Sequence, residues 1–499
     1  MEKYKKEQSS YHSIMLINPS NTLPKDSIRR LAEPLGLLYL GAVLKQNHFD
    51  VSILDSTCEG YYNTTIKGNY ITYGLSDNEI IERVKGFGPD LVGISSMFSA
   101  HQDNALHHCE LVKSVDPNIV VVLGGIHPSL APRECLAHGS VDYVIMGEGE
   151  FRLLKLLNML NEKRYDFDFD GIAYWKNGEI VVHPMEQRIQ DMDSIPFPAR
   201  DLIDLGKYIE IGVPYAPFPR KERVGQVLTS RGCPFNCIFC STVKFWGRKF
   251  RMRSVDNILS EIDELVNRYG IEEIQFADDN MTINRERAID LSKRLKEYNL
   301  LWCTPHGLMV KTLDQEMIRL MAESGAYQLT FAIESGSERV LKEIIRKPVP
   351  EKAVIKRLVD TCHECDIQVH ALFVLGFPGE TRDEIMETLQ YPFDIGFESV
   401  SFFLANPLPG SDLFAKCQKK GYLKKDGWMM DFKSAEIIIP EDSPDFVMSR
   451  AELVELVDRK TREYNEFSRS KNLQKWEIKF KQFLKRHGDK SDLILGRVT

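Results

Sequence analysis

The chain has 499 residues, 43% hydrophobic and 27% charged, which is globular composition and excludes a disordered chain. Its 64 basic residues stand against 72 acidic ones, a net charge of −8 that excludes a protein whose whole surface neutralises phosphates, so no nucleic-acid partner is expected. At roughly 150 residues per domain the length predicts two to four domains, and no apolar run reaches the roughly 18 residues of a membrane helix. Met1 to Ser10 is charged and has no apolar h-region, so no secretory signal is expected and the expected compartment is the cytoplasm.

Residues 12–150 alternate short apolar runs with amphipathic segments. Strands are predicted at Ser13 to Ile17, Val51 to Leu54, Leu91 to Ser95, Ile119 to Leu123 and Tyr143 to Met146, with helices at Leu35 to Leu44, Asn78 to Val84 and Asn104 to Lys113. Near-continuous apolar strands alternating with helices predict an α/β fold, a doubly wound parallel sheet covered on both faces. Its ligand crevice belongs at the carboxyl ends of the strands, where small and polar residues follow: Asn18-Pro19-Ser20, Asp55-Ser56-Thr57, Ser95-Ser96 and Gly124-Gly125.

Residues 151–223 are punctuated by proline in Asp191-Met-Asp-Ser-Ile-Pro-Phe-Pro-Ala-Arg200 and Val213-Pro-Tyr-Ala-Pro-Phe-Pro219, which predicts a linker, with a strand pair around Gly171 to Val182. Residues 224–410 resume the alternation. Strands are expected at Val224 to Thr229, Glu273 to Ala277, Trp302 to Gly307, Gln328 to Ile333, Val369 to Leu375 and Ser399 to Leu404, and helices such as Ser254 to Tyr269 and Arg285 to Glu297 separate them. Six βα units suit a partial (βα)6 barrel with its chemistry at the strand carboxyl ends. Residues 411–499 read as irregular, then helical from a Ser449 N-cap. Lys471 to Arg486 is basic with Trp476, Phe480 and Phe483 interleaved, favouring a solvated helix packing aromatics on the barrel over a partner or membrane-surface helix.

Ten cysteines are too sparse for a disulfide framework. Cys233-Pro-Phe-Asn-Cys237-Ile-Phe-Cys240 nevertheless sets three thiols in one short loop after the first barrel strand, where Gly232 and Pro234 favour convergence over a helix. Three thiolates leave a four-ligand structural zinc site incomplete. They can hold a [4Fe–4S] cluster with one iron lacking a protein ligand; buried thiols, or zinc with a distant fourth ligand, are the alternatives. Cys362-His-Glu-Cys365 sits at i, i+3 on a predicted helix with no second pair, and reads as core or surface cysteines.

The C-x3-C-x2-C loop after the first strand of a partial barrel resembles the radical S-adenosylmethionine (SAM) superfamily. Phe239 matches the aromatic used there before the third cysteine. Phe276-Ala-Asp-Asp-Asn280 ends the second strand, Glu334-Ser335-Gly336 the fourth, and Gly376-Phe-Pro-Gly379-Glu380 follows the fifth. The resemblance implies that Cys233, Cys237 and Cys240 are the metal ligands, that Asp278, Asp279 and Asn280 face the amino end of SAM, that Glu334 and Ser335 reach the ribose, and that Gly376 and Gly379 approach the adenine. Taken singly, the aspartates also suit a helix N-cap and the two glycine segments suit turns.

In the first domain, Val121-Val-Leu-Gly-Gly-Ile-His-Pro128 and Gly147-Glu148-Gly149-Glu150 bring glycine to strand ends, and neither phosphate-loop pattern occurs. This domain resembles the cobalamin-binding domain fused ahead of many radical SAM barrels. The resemblance implies that Ser95, Ser96, Gly124, Gly125, Gly147, Glu148 and Gly149 surround the nucleotide tail of cobalamin. No Asp-x-His-x-x-Gly motif supplies a lower cobalt ligand, and His127 is expected to contact the nucleotide tail or backbone.

Together the resemblances imply a cobalamin-dependent radical SAM enzyme of the methyltransferase kind. Its cofactors would be a [4Fe–4S] cluster, SAM and cobalamin, and its partners a small-molecule substrate and an external flavodoxin- or ferredoxin-like electron donor. A 5′-deoxyadenosyl radical would abstract a substrate hydrogen, and methylcobalamin would methylate an unactivated carbon or a phosphinate phosphorus. An oxidative cyclase acting on a tetrapyrrole is the nearest rival; a non-catalytic corrinoid-binding protein and an iron–sulfur carrier are others. His306, ending the third strand, is either a substrate contact or a core histidine, and Arg231, Lys244 and Arg248 favour an anionic substrate or are solvated charges.

Overall fold

The computed structural model describes residues 10–216, 218–423 and 437–495, apart from the side chains of 471–480. It divides into two compact units. One runs to Ile211 and takes in Lys244–Trp246 and the chain from Leu493; the other comprises Gly212–Val243 and Gly247–Asp492.

The first unit is built on a seven-stranded sheet of β1 (Ser13–Asn18), β2 (Asp50–Asp55), β3 (Leu91–Ser95), β4 (Val120–Gly124), β5 (Tyr143–Ile145), β6 (Ile172–Lys176) and β7 (Glu179–His183), in the order β7-β6-β5-β4-β3-β1-β2. β1 shows why the strands read as continuous apolar runs. Ile14 and Leu16 enter the core on one face with Leu38 and Leu156, while Met15 and Ile17 enter that on the other with Val84 and Cys109. The five parallel strands run 2-1-3-4-5, so the chain reverses direction between β1 and β3 and the crevice opens at their carboxyl ends.

The predicted strand pair within 151–223 is part of this sheet. β6 runs antiparallel to β5 with Tyr143 opposite Tyr174, and its side chains alternate between the two cores. The proline-rich stretch that follows is fastened to α1 (Leu35–Gln46): Ala199 N donates to Leu38 O, and Arg200 forms a buried ion pair with Glu33 at 2.7 Å. A small antiparallel sheet of Asn21–Pro24, Thr64–Lys67 and Tyr70–Tyr73 was not foreseen, because strands of four residues carry little periodicity.

The second unit is built on a six-stranded sheet of β8 (Val224–Val227), β9 (Glu273–Phe276), β10 (Leu301–Leu308), β11 (Ala326–Glu334), β12 (Gln368–Leu375) and β13 (Ser399–Leu404), all parallel and ordered as in the chain. Helices join them. α2 (Val255–Tyr269) starts at the Ser254 cap and stops at left-handed Gly270, and α3 (Arg382–Ile395) opens on a Thr381–Glu384 capping box. The second proline stretch closes the amino ends of the strands: Ala216 exchanges two hydrogen bonds with Gln275, and Glu273 accepts from Arg220 N, Lys221 N and Tyr327 Oη.

α4 (Arg450–His487) begins with Ser449 as N-cap in a capping box with Glu452. Its Tyr464 donates to Phe397 O, and its Phe483 ring meets Phe218 at 5.4 Å. Trp476 and Phe480 lie outside the described side chains. Among the described residues no helix is long and apolar enough to cross a membrane.

Candidate active site

The chemistry-bearing residues of the second unit gather at the carboxyl ends of its strands. The loop after β8 is fixed first. Thr229 donates its N–H and its hydroxyl to Asp278 at 2.9 and 2.7 Å, and Ser230 also donates its hydroxyl there. Asp278, expected to face SAM, is therefore a buried tie between the ends of β8 and β9, its oxygens already accepting three bonds. Gly232 then turns the chain at φ +94, where a Cβ would lie 2.3 Å from Lys249 O, so the entry to the cysteine loop requires glycine.

Cys233, Cys237 and Cys240 are all partly exposed, whereas Cys58, Cys109, Cys135, Cys303, Cys362 and Cys417 are buried. Burial pushes Cys233 up to about 11 and Cys237 up to about 12, and raises Cys240. The thiols also raise one another, so forming three thiolates here calls for bound positive charge. Among the described residues no three or more His, Cys, Asp or Glu side chains close on a single ion. A four-iron cube asks for a different arrangement, because each thiolate takes a different iron. The loop is clamped between its second and third cysteines: Ile238 N donates to Ile345 O at 3.0 Å, and Leu413 N to Ile238 O at 2.8 Å.

Around this loop stand the other strand ends. Asp279 keeps an accessible carboxylate, pushed up to about 6 by its desolvating surroundings and by Asp278. Asn280 is buried; its Oδ1 accepts from Thr282, and its Nδ2 has no partner among the described residues. β11 is irregular between Ala332 and Glu334, and Glu334 takes φ +72, a strained conformation of the kind that collects at functional sites. Its carboxylate pairs with Lys347 at 2.6 Å, both side chains being buried. The Ser335 hydroxyl lies 2.9 Å from Thr388 Oγ1 and accepts from Ser337 N, at the β11–α3 junction.

Gly376 and Gly379 take φ +82 and +94. The loop is gathered by Glu380, whose Oε2 accepts from Gly376 N and Phe377 N at 2.7 and 3.1 Å while the buried Oε1 has no partner among the described residues. Burial pushes Glu380 up to about 7. Phe239 of the cysteine loop meets Phe377 here, ring centroids 5.9 Å apart. Lys347 and Glu380 are the residues that sequence reasoning missed as site residues. Glu380 was visible as the last residue of a quoted motif, whereas Lys347 stands in no motif. His306 is half-buried with its ring edge-on to Tyr215 at 4.6 Å, and Arg248 donates to Pro234 O in the cysteine loop. Arg231 is buried in a two-stranded antiparallel sheet and Lys244 is exposed in the first unit.

In the first unit, Ser95 and Gly124 end paired strands, and Ser96 N donates to Gly124 O at 2.7 Å. Gly125 at φ +111 lets the two loops touch, since a Cβ there would lie 2.5 Å from Ser96 O. The buried Ser96 hydroxyl has no partner among the described residues, as expected where a polar ligand completes the site. Gly147 at φ +71 donates its N–H to Ser129 Oγ, and Gly149 caps the helix Glu150–Asn161. His127 is fully buried and its Nδ1 bonds Ser99 Oγ at 2.8 Å, so it braces the loop. Glu148 is buried and accepts from Ile189 N, holding the segment after β7. Met97 and Phe98, directly after Ser96, are exposed apolar side chains at the same strand end.

A parallel partial barrel with three accessible thiols after its first strand, in a chain that also carries a 2-1-3-4-5 sheet with glycine-lined strand ends, defines a radical SAM enzyme with a cobalamin-type domain. Residues 227–391 match the Radical SAM superfamily and residues 25–157 the B12 binding domain. The chain is 37% identical to the cytidylyl-2-hydroxyethylphosphonate methyltransferase of Streptomyces wedmorensis, over 92% of this chain and 91% of that one. It is 33% identical to an uncharacterised methyltransferase of Pyrococcus horikoshii, over 83% and 85% of the two chains. In fold it is similar to the radical SAM methyltransferase TsrM of Kitasatospora setae, solved with tryptophan and a SAM analogue (TM-score 0.66, 16% identity, 83% of this chain and 77% of that one). The chain belongs to the radical SAM methyltransferases that carry a B12-binding domain.

Proposed function

We propose that this enzyme methylates an unactivated carbon of a small phosphonate-bearing molecule, using a [4Fe–4S] cluster, SAM and cobalamin. The observation that carries the reading is the loop of Cys233, Cys237 and Cys240, whose accessible thiols sit among Asp279, Glu334 and the Gly376–Gly379 loop at one end of the barrel. The 37% identity to a methyltransferase named for a phosphonate acceptor supports the substrate class. Bound cofactors would supply an electron, a hydrogen-abstracting 5′-deoxyadenosyl radical and a transferable methyl group.

The residues divide the remaining work. Cys233, Cys237 and Cys240 would hold the cluster. Asp279 offers charge, and Asn280 through Nδ2 a hydrogen bond, to the amino-acid end of SAM. Glu334 faces the ribose, Gly376 and Gly379 present backbone to the adenine, and Phe239 with Phe377 shields that side from water. In the first unit Ser96, Gly124, Gly125, Gly147 and Gly149 would admit the nucleotide tail of cobalamin. The electron comes from a flavodoxin- or ferredoxin-like donor, and the compartment is the cytoplasm.

The test supplies methyl-labelled SAM, cobalamin and cytidylyl-2-hydroxyethylphosphonate to reconstituted enzyme under anaerobic reduction. Labelled methyl in the phosphonate, with S-adenosylhomocysteine and 5′-deoxyadenosine both formed, supports the reading. Consumption of an acceptor with 5′-deoxyadenosine but no S-adenosylhomocysteine would replace it with the cyclase reading.

A further inference from the structure

Lys347 is a buried ammonium beside the thiol loop, and no role in the reaction derived above requires it. We infer, resting on the reading that Cys233, Cys237 and Cys240 carry the cluster, that Lys347 sets the reduction potential of that cluster, with Glu334 as its counter-charge. Lys347 is 6% exposed and its Nζ lies 2.6 Å from Glu334 Oε1. Its backbone is placed with care. A π-helical turn, Val340–Ile345, ends in Arg346 at φ +64, and Lys347 N then donates to Leu341 O at 2.9 Å. The same turn holds the cysteine loop through Ile345 O and Ile238 N, so the ammonium and the thiols are fixed to one element. Both residues of the pair are set by left-handed backbone, Glu334 directly and Lys347 through Arg346; π-turns and such strain concentrate at functional sites.

The two charges act on the thiols with opposite sign. Lys347 follows the π-turn whose Ile345 O holds Ile238 of the thiol loop, and Glu334, which ends β11, pairs with it, one positive and one negative. Reducing the cluster adds one negative charge at this place. A buried cation therefore favours the reduced state and a buried carboxylate opposes it, in surroundings where water screens little. A lysine merely solvating its own surface would have no such leverage.

The test is an EPR-monitored potentiometric titration of the reconstituted full chain without SAM or cobalamin, after iron and sulfide analysis. At the wild-type midpoint, Lys347→Met is expected to lower the ratio of reduced to oxidised cluster about tenfold, or 59 mV for one electron, and Glu334→Gln to raise it. Lys347→Arg keeps the charge and should stay within about threefold of wild type. Equal midpoints in all four proteins with intact clusters would overturn the inference, as would a loss of SAM affinity in Lys347→Met with an unmoved midpoint. Should Lys347→Met lose its cluster, Glu334→Gln decides: an upward shift supports the inference and an unmoved midpoint overturns it. A wild-type chain that binds no [4Fe–4S] cluster would instead refute the proposed function.

Discussion

Asp279 and Glu380 are acids whose surroundings hold their protons into the neutral range, for different ends. Asp279, at about 6, remains accessible, so its charge is available to an ammonium only above that value. SAM affinity should accordingly fall by up to about tenfold per pH unit below 6, and Asp279→Asn should remove that slope; calorimetric titration of SAM across pH measures both. Glu380 is buried and its pKa is raised to about 7 in the fold. The folded state thus holds its proton more tightly than the unfolded chain, so Glu380 contributes stability below its unfolded pKa and loses it as pH rises through 7. That window is worth about 3 kcal/mol at 1.36 kcal/mol per unit, and Glu380→Gln should flatten it in thermal unfolding followed against pH. Gly232→Ala forces a Cβ against Lys249 O at 2.3 Å and a left-handed alanine, so iron per chain after reconstitution should drop severalfold. Full iron loading in that variant would show that the loop's entry is adjustable.

The elements that position the site are joined by short buried ties. Asp278 accepts three bonds from Thr229 and Ser230, and Arg287 donates to Thr229 O at 2.9 Å, so the ends of β8 and β9 are one assembly. Asp278→Ala strands those buried donors at about 1–3 kcal/mol each and should lower the thermal midpoint more than Thr381→Ala, which removes a helix cap worth about 1 kcal/mol. An Asp278→Ala midpoint equal to wild type would mean that water replaces the tie. These ties also mark where sequence reading stops. The spacing of Cys233, Cys237 and Cys240, and the acids and glycines at later strand ends, are visible because each motif is local. Whether Asp278 or Asp279 faces outward, whether Ser335 turns toward Thr388, and that Lys347 returns to Glu334 depend on tertiary contacts that no periodicity encodes. That His127 bonds Ser99 and Glu148 bonds Ile189 N was hidden for the same reason, since polar residues at glycine-rich strand ends brace loops as well as line ligands.

At the scale of the molecule, the eleven parallel strands expected in the two sheets and the strand pair in the linker were legible because buried parallel strands are apolar runs bounded by turn residues. What the linker packs on was not legible, because proline punctuation signals irregular backbone without naming its partners. Residues 172–183 pair with the first sheet, and Ala216, Arg220 and Lys221 bond to the base of the second. Each unit therefore carries its own strand-end crevice, and the central claim is that the second one cleaves SAM at a cluster held by three cysteines. The most direct measurement reconstitutes the full chain anaerobically, adds reductant and SAM, and quantifies 5′-deoxyadenosine by mass spectrometry in wild type and in Cys237→Ala. The account predicts release by the wild type and none by the variant. Release that survives loss of Cys237, or a wild type that holds an intact cluster and releases nothing, would contradict it.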